Sequence, residues 1–333
     1  MRVLLDHPNP FLLAHGGFQI QIQQTGAALK QAGLEVDYLR WWDEAQRGDV
    51  IHYFGRPPVA YVAAAQRKGI KVVLAQLLTG LGSRPRWLLP FQRAVTRLGR
   101  RVLPSMISAI FGWDAFRLVD ACVANTAWEG RLMEYIFGAP HKKVHLVPNG
   151  VEEVFLNSPV APRGQWLVCA ATITERKRVL PLAQAAARAQ TPLWVIGKPY
   201  AERDPYFQQF VRFVRENAPL LRYEGAVGDR AVLARVYREA RGFVLLSTME
   251  TRSLAAEEAG ACGCPLLLSD LPWARSVFGE KAWYCPAGPS VKRKAAVLRR
   301  FYDAAPGIEP PPKPMTWLEV GRTLAAIYRG LSR

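Results

Sequence analysis

The sequence predicts an α/β protein made of two successive doubly wound parallel sheets. Three observations carry that reading. Short apolar runs alternate with helix-like segments along the chain, as parallel strands with helices on both faces require. The alternation stops at Asn157–Gly164, whose composition (Asn-Ser-Pro-Val-Ala-Pro-Arg-Gly) is that of a linker, and then restarts. The 333 residues also hold about two domains' worth of core, at roughly 150 residues each. Domains are expected at 1–156 and 165–312, facing each other across a cleft.

In the first half, Met1–Leu5 reads as a buried strand, followed by a loop with Gly16-Gly17 and a helix Gln19–Ala32 stopped by Gly33. Glu35–Leu39, Val50–Phe54 and Lys71–Ala75 are strand candidates, with a helix Pro58–Lys68 between the last two. Asp120–Ala124 is a strand, Ala127–Phe137 a helix, and Lys143–Val147 a strand closed by Pro148-Asn149-Gly150. After the linker come strand Trp166–Ala170, helix Val179–Ala189, strand Leu193–Ile196 ending at Gly197, helix Tyr206–Asn217 and a short strand Arg222–Glu224. Helix Arg230–Arg238, strand Gly242–Leu246, helix Leu254–Ala261 and strand Pro265–Leu268 follow. Pro310-Pro311-Pro312 interrupts the pattern before a last helix, Trp317–Leu331. In open parallel sheets ligands bind beyond the carboxyl ends of the strands.

Composition excludes several classes. Half of the residues are hydrophobic and 21% are charged, a globular balance rather than a disordered one. No stretch approaches the ~18 apolar residues of a membrane span, and Met1–Pro8 breaks too early for a secretory h-region. Five scattered cysteines, Cys122, Cys169, Cys262, Cys264 and Cys285, predict reduced thiols and a cytoplasmic protein rather than a disulfide scaffold. Cys262-x-Cys264 lacks the further Cys or His ligands that a zinc site would want.

The charge balance is unusual: 44 Lys and Arg against 27 Asp and Glu, a net of +17. Such an excess implies an anionic partner. Between Asp49 and Asp114 there is no acidic residue, while Arg56, Arg67, Lys68, Lys71, Arg84, Arg86, Arg93, Arg97, Arg100 and Arg101 are all basic. Within Arg84–Arg101 the arginines interleave with Trp87, Leu88, Leu89, Phe91, Val95 and Leu98. That pairing fits a segment lying in an anionic membrane interface; a solubilising helix or a site for an anionic acceptor fits it too. The excess charge also fits a nucleic-acid binder, but no nucleic-acid motif is recognised and the charge sits largely in one lobe, so nucleic acid is not expected as a partner.

The most informative constellation is Ser247–Pro265. A strand ends in a polar turn bearing Glu250, and Glu258 follows eight positions later. Eight helical residues span just over two turns and rise about 12 Å, which suits hydroxyls at two ends of an elongated ligand. Between them a helix N-terminus at Arg252, Ser253 and Leu254 offers free N–H groups to phosphate. Spacing alone is equally compatible with two glutamates on a solvated helix.

Here the chain resembles the retaining nucleotide-sugar glycosyltransferases of the GT-B architecture, family 4. Their Glu-x7-Glu motif is matched by Glu250, Leu254, Glu258, Ala259, Cys262, Gly263 and Pro265, although Thr251-Arg252-Ser253 replaces the usual Gly-Phe-Gly. Lys143–Val151, Asp120–Thr126 and the last helix Trp317–Arg329 resemble further family segments, so the likeness runs over nearly the whole chain. It implies two Rossmann-like domains, an acceptor-side 1–156 completed by a C-terminal helix 317–333 that crosses back, and a donor-binding 165–312. The donor implied is a nucleoside-diphosphate sugar (UDP- or GDP-sugar), without a metal.

Carried over residue by residue, Glu250 would meet the donor-sugar hydroxyls and Glu258 the ribose. Lys177 would meet the diphosphate and offset charge on the leaving group. Where the family has an arginine five positions before that lysine, this chain has Thr172, and Arg176 or Arg178 is the substitute. Gly16 and Gly17 match a loop where backbone approaches phosphate or sugar, and Gly197 closes a strand of the donor domain. Where many members carry a histidine near the reacting carbon, this chain has Gln76, which cannot exchange a proton near neutral pH. Asp114 and His52 are candidates for acceptor contacts. The expected activity is transfer of a hexosyl group to a lipid-linked or cell-surface glycan precursor, with the protein cytoplasmic and peripheral on the membrane. The alternatives are an impaired homologue that only binds nucleotide or glycan, a basic nucleic-acid binder, and a sugar-nucleotide epimerase, whose motifs are absent.

Overall fold

The computed structural model describes residues 1–8, 11, 16–103, 111–157, 161–288 and 290–331. Of the predicted linker, residues 158–160 lie outside the described residues, as do 332 and 333 of the C-terminal segment. The chain forms two compact units, Met1–Gly150 with Met315–Arg333, and Val151–Pro314.

The first unit holds a six-stranded parallel sheet in the order β2-β1-β3-β4-β5-β6. Its strands are β1 (Arg2–Asp6), β2 (Glu35–Tyr38), β3 (Val50–Phe54), β4 (Lys71–Ala75), β5 (Ala121–Ala124) and β6 (Val144–Leu146). Central strands β3 and β5 are buried at every position, β5 as an unbroken apolar run and β3 as one interrupted by His52. A core of Val62, Ala65, Phe116, Trp128, Leu132 and Met133 covers one face of this sheet.

Helix Trp317–Leu331 returns to this unit and packs on helix Gly17–Gln31. Gly321 permits the close approach: a Cβ there would run into the carbonyl of Ala28. From the same helix the Tyr328 hydroxyl is hydrogen-bonded to His52 Nδ1, and both side chains are buried. Burial pushes the imidazole down to about 3, so His52 stays neutral. This corrects its assignment as an acceptor contact: His52 joins β3 to the last helix.

The second unit holds the other six-stranded parallel sheet, in the order β12-β11-β10-β7-β8-β9. Its strands are β7 (Leu167–Ala170), β8 (Leu193–Ile196), β9 (Leu221–Tyr223), β10 (Gly242–Leu245), β11 (Leu266–Ser269) and β12 (Trp283–Cys285). β12 and the helices Pro272–Phe278 and Val291–Ala304 complete the unit where the sequence predicts no element. The division also falls earlier than predicted. Phe155 and Leu156 are buried in the core of the second unit, and Cys262 Sγ contacts the Phe155 carbonyl at 3.5 Å, so residues 151–156 belong there rather than to the first domain.

Candidate active site

The doubly wound order of the second unit changes direction between β7 and β10, and the polar turns that follow these neighbouring strands meet. After β7, a short 3-10 turn Glu175–Lys177 is capped by Thr174, whose side chain accepts from Lys177 N. After β10, Thr248 N donates to the Arg176 carbonyl at 2.8 Å, which ties the two turns together. Arg178 then takes a left-handed conformation (φ 52°) to start helix Val179–Ala189, an uncommon state for a non-glycine residue.

This joint brings three predicted residues into contact. Lys177 Nζ forms an ion pair with Glu250 Oε1, and Arg176 Nη1 lies 3.3 Å from the same oxygen and donates to the Met249 carbonyl at 3.0 Å. Glu250 is buried, and the two cations offset the cost of holding a carboxylate there. The Lys177 ammonium has three donors, so an ion pair with Glu250 leaves donors for a ligand. Of the two substitutes predicted for the missing arginine, Arg176 is the one on Glu250. Thr172 lies in the loop two residues past β7, next to Ala171, whose carbonyl would collide with a Cβ at Gly197 (φ 148°). Only glycine fits at 197, so its first role is close packing between the turns after β7 and β8.

Helix Leu254–Ala261 begins at Ser253, whose hydroxyl accepts from Ala256 N at 3.3 Å. The N–H groups of Leu254 and Ala255 have no acceptor within the helix. The guanidinium of Arg252 is committed elsewhere: it forms a two-pronged ion pair with buried Glu257, including Nε to Oε2 at 2.8 Å. Arg252 therefore braces the turn.

Glu258 is buried further along this helix and paired with Arg230, which also donates to Glu152 at 2.8 Å and lies over the Phe155 ring at 4.7 Å. Burial raises the Glu258 carboxyl to about 7, with Arg230 opposing the shift. A carboxyl poised near neutrality beside a polar turn is a mark of a functional site. Sequence reading misses Arg230 and Glu152. The only local signal is Asp229, which caps the helix Arg230–Glu239 and so fixes where Arg230 begins it.

Gly16, Gly17 and Gln76 lie in the other unit, beyond the carboxyl ends of β1 and β4. Gly16 (φ 133°) precedes helix Gly17–Gln31, and its carbonyl accepts from Ile20 N at 3.2 Å. Gln76 donates to the Leu77 carbonyl at 2.8 Å. Its loop is held by a residue the sequence does not single out: buried Glu129 accepts from Leu78 N and Asn125 N, each at 2.8 Å, joining the turns after β4 and β5. Asp114, the other candidate for acceptor contacts, forms an ion pair with Arg100 at 3.1 Å. Among the described residues no group of three His, Cys, Asp or Glu is arranged to hold a metal ion, and burial pushes the Cys122, Cys169 and Cys264 thiols up to about 12.

Two parallel-sheet units, with an acidic and basic cluster at the switch point of the second, define a two-domain GT-B fold. The chain belongs to the group 1, family 4 glycosyltransferases: the pattern "Glycosyl transferases group 1" matches residues 164–303 and "Glycosyltransferase Family 4" matches 34–154. A D-inositol 3-phosphate glycosyltransferase of Jonesia denitrificans is 31% identical, over 48% of this chain and 43% of that protein, so the match spans less than half of the relative. Sucrose-phosphate synthase from Thermosynechococcus elongatus superposes with a TM-score of 0.70 at 17% identity, over 99% of this chain and 98% of the other. Anabaena HepE in complex with UDP-glucose superposes with a TM-score of 0.64 at 12% identity, over 99% of both chains. At these identities the likeness to solved structures carries the fold alone.

Proposed function

We propose that this glycosyltransferase moves a hexosyl group from a nucleoside-diphosphate sugar, UDP- or GDP-linked, to a lipid-linked or cell-surface glycan precursor at the cytoplasmic leaflet. Transfer retains the anomeric configuration and needs no metal. The observation that carries the reading is the buried pair Glu250 and Glu258 on one short turn-helix element, Glu250 held by Lys177 and Arg176 and Glu258 by Arg230.

In this reading Glu258, positioned by Arg230, accepts from the ribose hydroxyls. The N–H groups at Leu254 and Ala255 and the Lys177 ammonium meet the diphosphate. Glu250 takes sugar hydroxyls. In front-face transfer the bond from the anomeric carbon to the diphosphate oxygen breaks and leaves its electron pair on the diphosphate. The acceptor oxygen bonds to that carbon on the same face, and its proton passes to a phosphate oxygen of the leaving group. Lys177 offsets the charge that develops there. No side-chain base is required, so Gln76 is compatible with turnover and serves as a hydrogen-bonding group.

A thermal-shift panel of UDP, GDP, ADP and TDP tests the donor. The matching diphosphate adds about 2.7 kcal/mol at 100 times its dissociation constant, and indifference to all four overturns the reading. Gln76 also favours a second reading, a homologue that binds nucleotide or glycan without transfer. It predicts the same thermal shift with no hydrolysis or transfer of the donor sugar.

A further inference from the structure

Helix Leu89–Val102 of the first unit is amphipathic in the wrong sense for a folded core. Its buried residues are Gln92 and Thr96. Gly99 lies on the same side, where a Cβ would press on the Trp113 ring at 2.5 Å. Neither atom of the Gln92 amide has a hydrogen-bond partner among the described residues. The outward stripe is apolar at helical spacing: Phe91 is 68% exposed, Val95 47%, Leu98 62% and Val102 70%, with Trp87 at 76% just before the helix. A contiguous apolar stripe left in water marks a surface with a partner.

Beside this stripe lies a cavity of about 740 Å³ whose lining includes Leu98, Arg97, Arg100, Arg101, Arg117 and Gly138. Arg100 is tied to the protein by Asp114 and by the Phe137 carbonyl at 2.8 Å. The guanidinium groups of Arg97, Arg101 and Arg117 have no carboxylate partner among the described residues. Burial holds Arg100 below its usual range against the pull of Asp114, and the nearby charge of Arg117 adds to the shift. Arg117 comes just before β5 and Gly138 just before β6, so the cavity lies toward the amino ends of the strands, the opposite edge from Gln76. Its lining includes none of Lys177, Glu250 and Glu258, which belong to the second unit.

We infer that this face docks on an anionic lipid bilayer, with Trp87, Phe91, Val95, Leu98 and Val102 in the acyl boundary and a lipid phosphate seated among Arg97, Arg100, Arg101 and Arg117. The apolar stripe and the cationic cavity share Leu98, so one amphiphile satisfies both. A second copy of the chain would bring the same arginines to the interface, and nucleic acid has no use for the stripe. The inference deepens the proposed membrane-side acceptor and rests on that reading.

The test is co-sedimentation with vesicles of phosphatidylcholine alone and of phosphatidylcholine mixed with phosphatidylglycerol. Binding is expected only to the mixed vesicles, and weaker at high salt as the charges are screened. Arg97→Gln with Arg101→Gln and Arg117→Gln should weaken it about 100-fold, at roughly fivefold per arginine. Arg117→Gln alone tests the cavity, because Arg117 is not on the helix, whereas Lys30→Gln on helix Gly17–Gln31 should change nothing. Phe91→Ser with Leu98→Ser should release the protein without altering nucleoside-diphosphate binding, which also shows that the variant is folded. Equal binding to both vesicles, binding to neither, or no loss in the arginine variants overturns the dock. So does concentration-dependent self-association that the Phe91 and Leu98 changes abolish, or a preference for oligonucleotides over vesicles. A protein that binds a nucleoside diphosphate and ignores vesicles loses the dock and keeps the proposed transfer. One that docks and binds no diphosphate keeps the dock and loses the donor assignment.

Discussion

At the scale of single residues, the two glutamates have separable roles. Glu258→Ala should weaken diphosphate binding about 10- to 100-fold, the worth of hydrogen bonds to a charged acceptor. Glu250→Ala should leave diphosphate binding within a few-fold, lower turnover about 100-fold and loosen donor-sugar choice. Calorimetric titration with the bare diphosphate separates them, and the reverse pattern would exchange the two assignments. The Glu258 carboxyl adds a pH signature. Its folded value, about 7, lies above the ordinary 4.5, so the native state holds a proton that the unfolded chain has already released. Stability is therefore lost as pH rises from about 5 to about 7, on the order of 1–3 kcal/mol. Glu258→Gln should flatten that slope in denaturant midpoints measured across the window. Diphosphate affinity should run the other way, rising as Glu258 ionises. Comparing the wild type with the Glu258→Gln variant isolates this effect from titration of the phosphate.

At the scale of elements, legibility followed burial. β3, β4, β8 and the helices Val179–Ala189, Leu254–Ala261 and Trp317–Leu331 stand where the apolar pattern puts them, because each is an apolar segment with clear stops. Helix Val291–Ala304 was illegible for the opposite reason: it is dominated by Lys292, Arg293, Lys294, Arg299 and Arg300, and its buried apolar residues are only Ala295, Leu298 and Phe301. Glu250, Glu258 and Lys177 were legible through spacing and resemblance. Arg230, Glu152 and Glu129 were not, because their importance comes from partners distant in sequence. The glycines of the last helix give a test of packing at this scale. Gly321→Val sets a side chain against the Ala28 carbonyl and should cost about 1–3 kcal/mol or more. Gly330→Ala, in the same helix with nothing within 4 Å, should be neutral or stabilising by up to about 1 kcal/mol. Equal effects in urea unfolding would mean that the two helices do not pack closely in solution.

For the whole molecule, the consequence lies in how the chain is divided. The first unit is discontinuous: its sheet is encoded before Gly150, yet its helix Trp317–Leu331 is encoded after the entire second unit. That helix supplies Tyr328 to buried His52 and covers helix Gly17–Gln31 around Gly321. The second unit, Val151–Pro314, carries its own sheet, its own core and Lys177, Glu250 and Glu258, whereas Gly16 and Gly17 lie in the first unit. A chain ended after Pro314 should therefore separate binding from transfer. It removes the buried Val320, Leu324 and Tyr328, uncovers helix Gly17–Gln31 around Ala28, and leaves His52 without the Tyr328 hydroxyl. Losing the burial of one such side chain costs about 1.5–3 kcal/mol, enough over several residues to unfold a unit of ordinary stability. Hydrogen exchange should then be fast across β1 to β6 and slow across β7 to β12. Diphosphate affinity should stay within a few-fold of the intact protein while transfer to any acceptor is lost. Loss of diphosphate binding together with transfer would place part of the nucleotide site outside Val151–Pro314 and overturn the assignment of Lys177, Glu250 and Glu258 as a sufficient donor site.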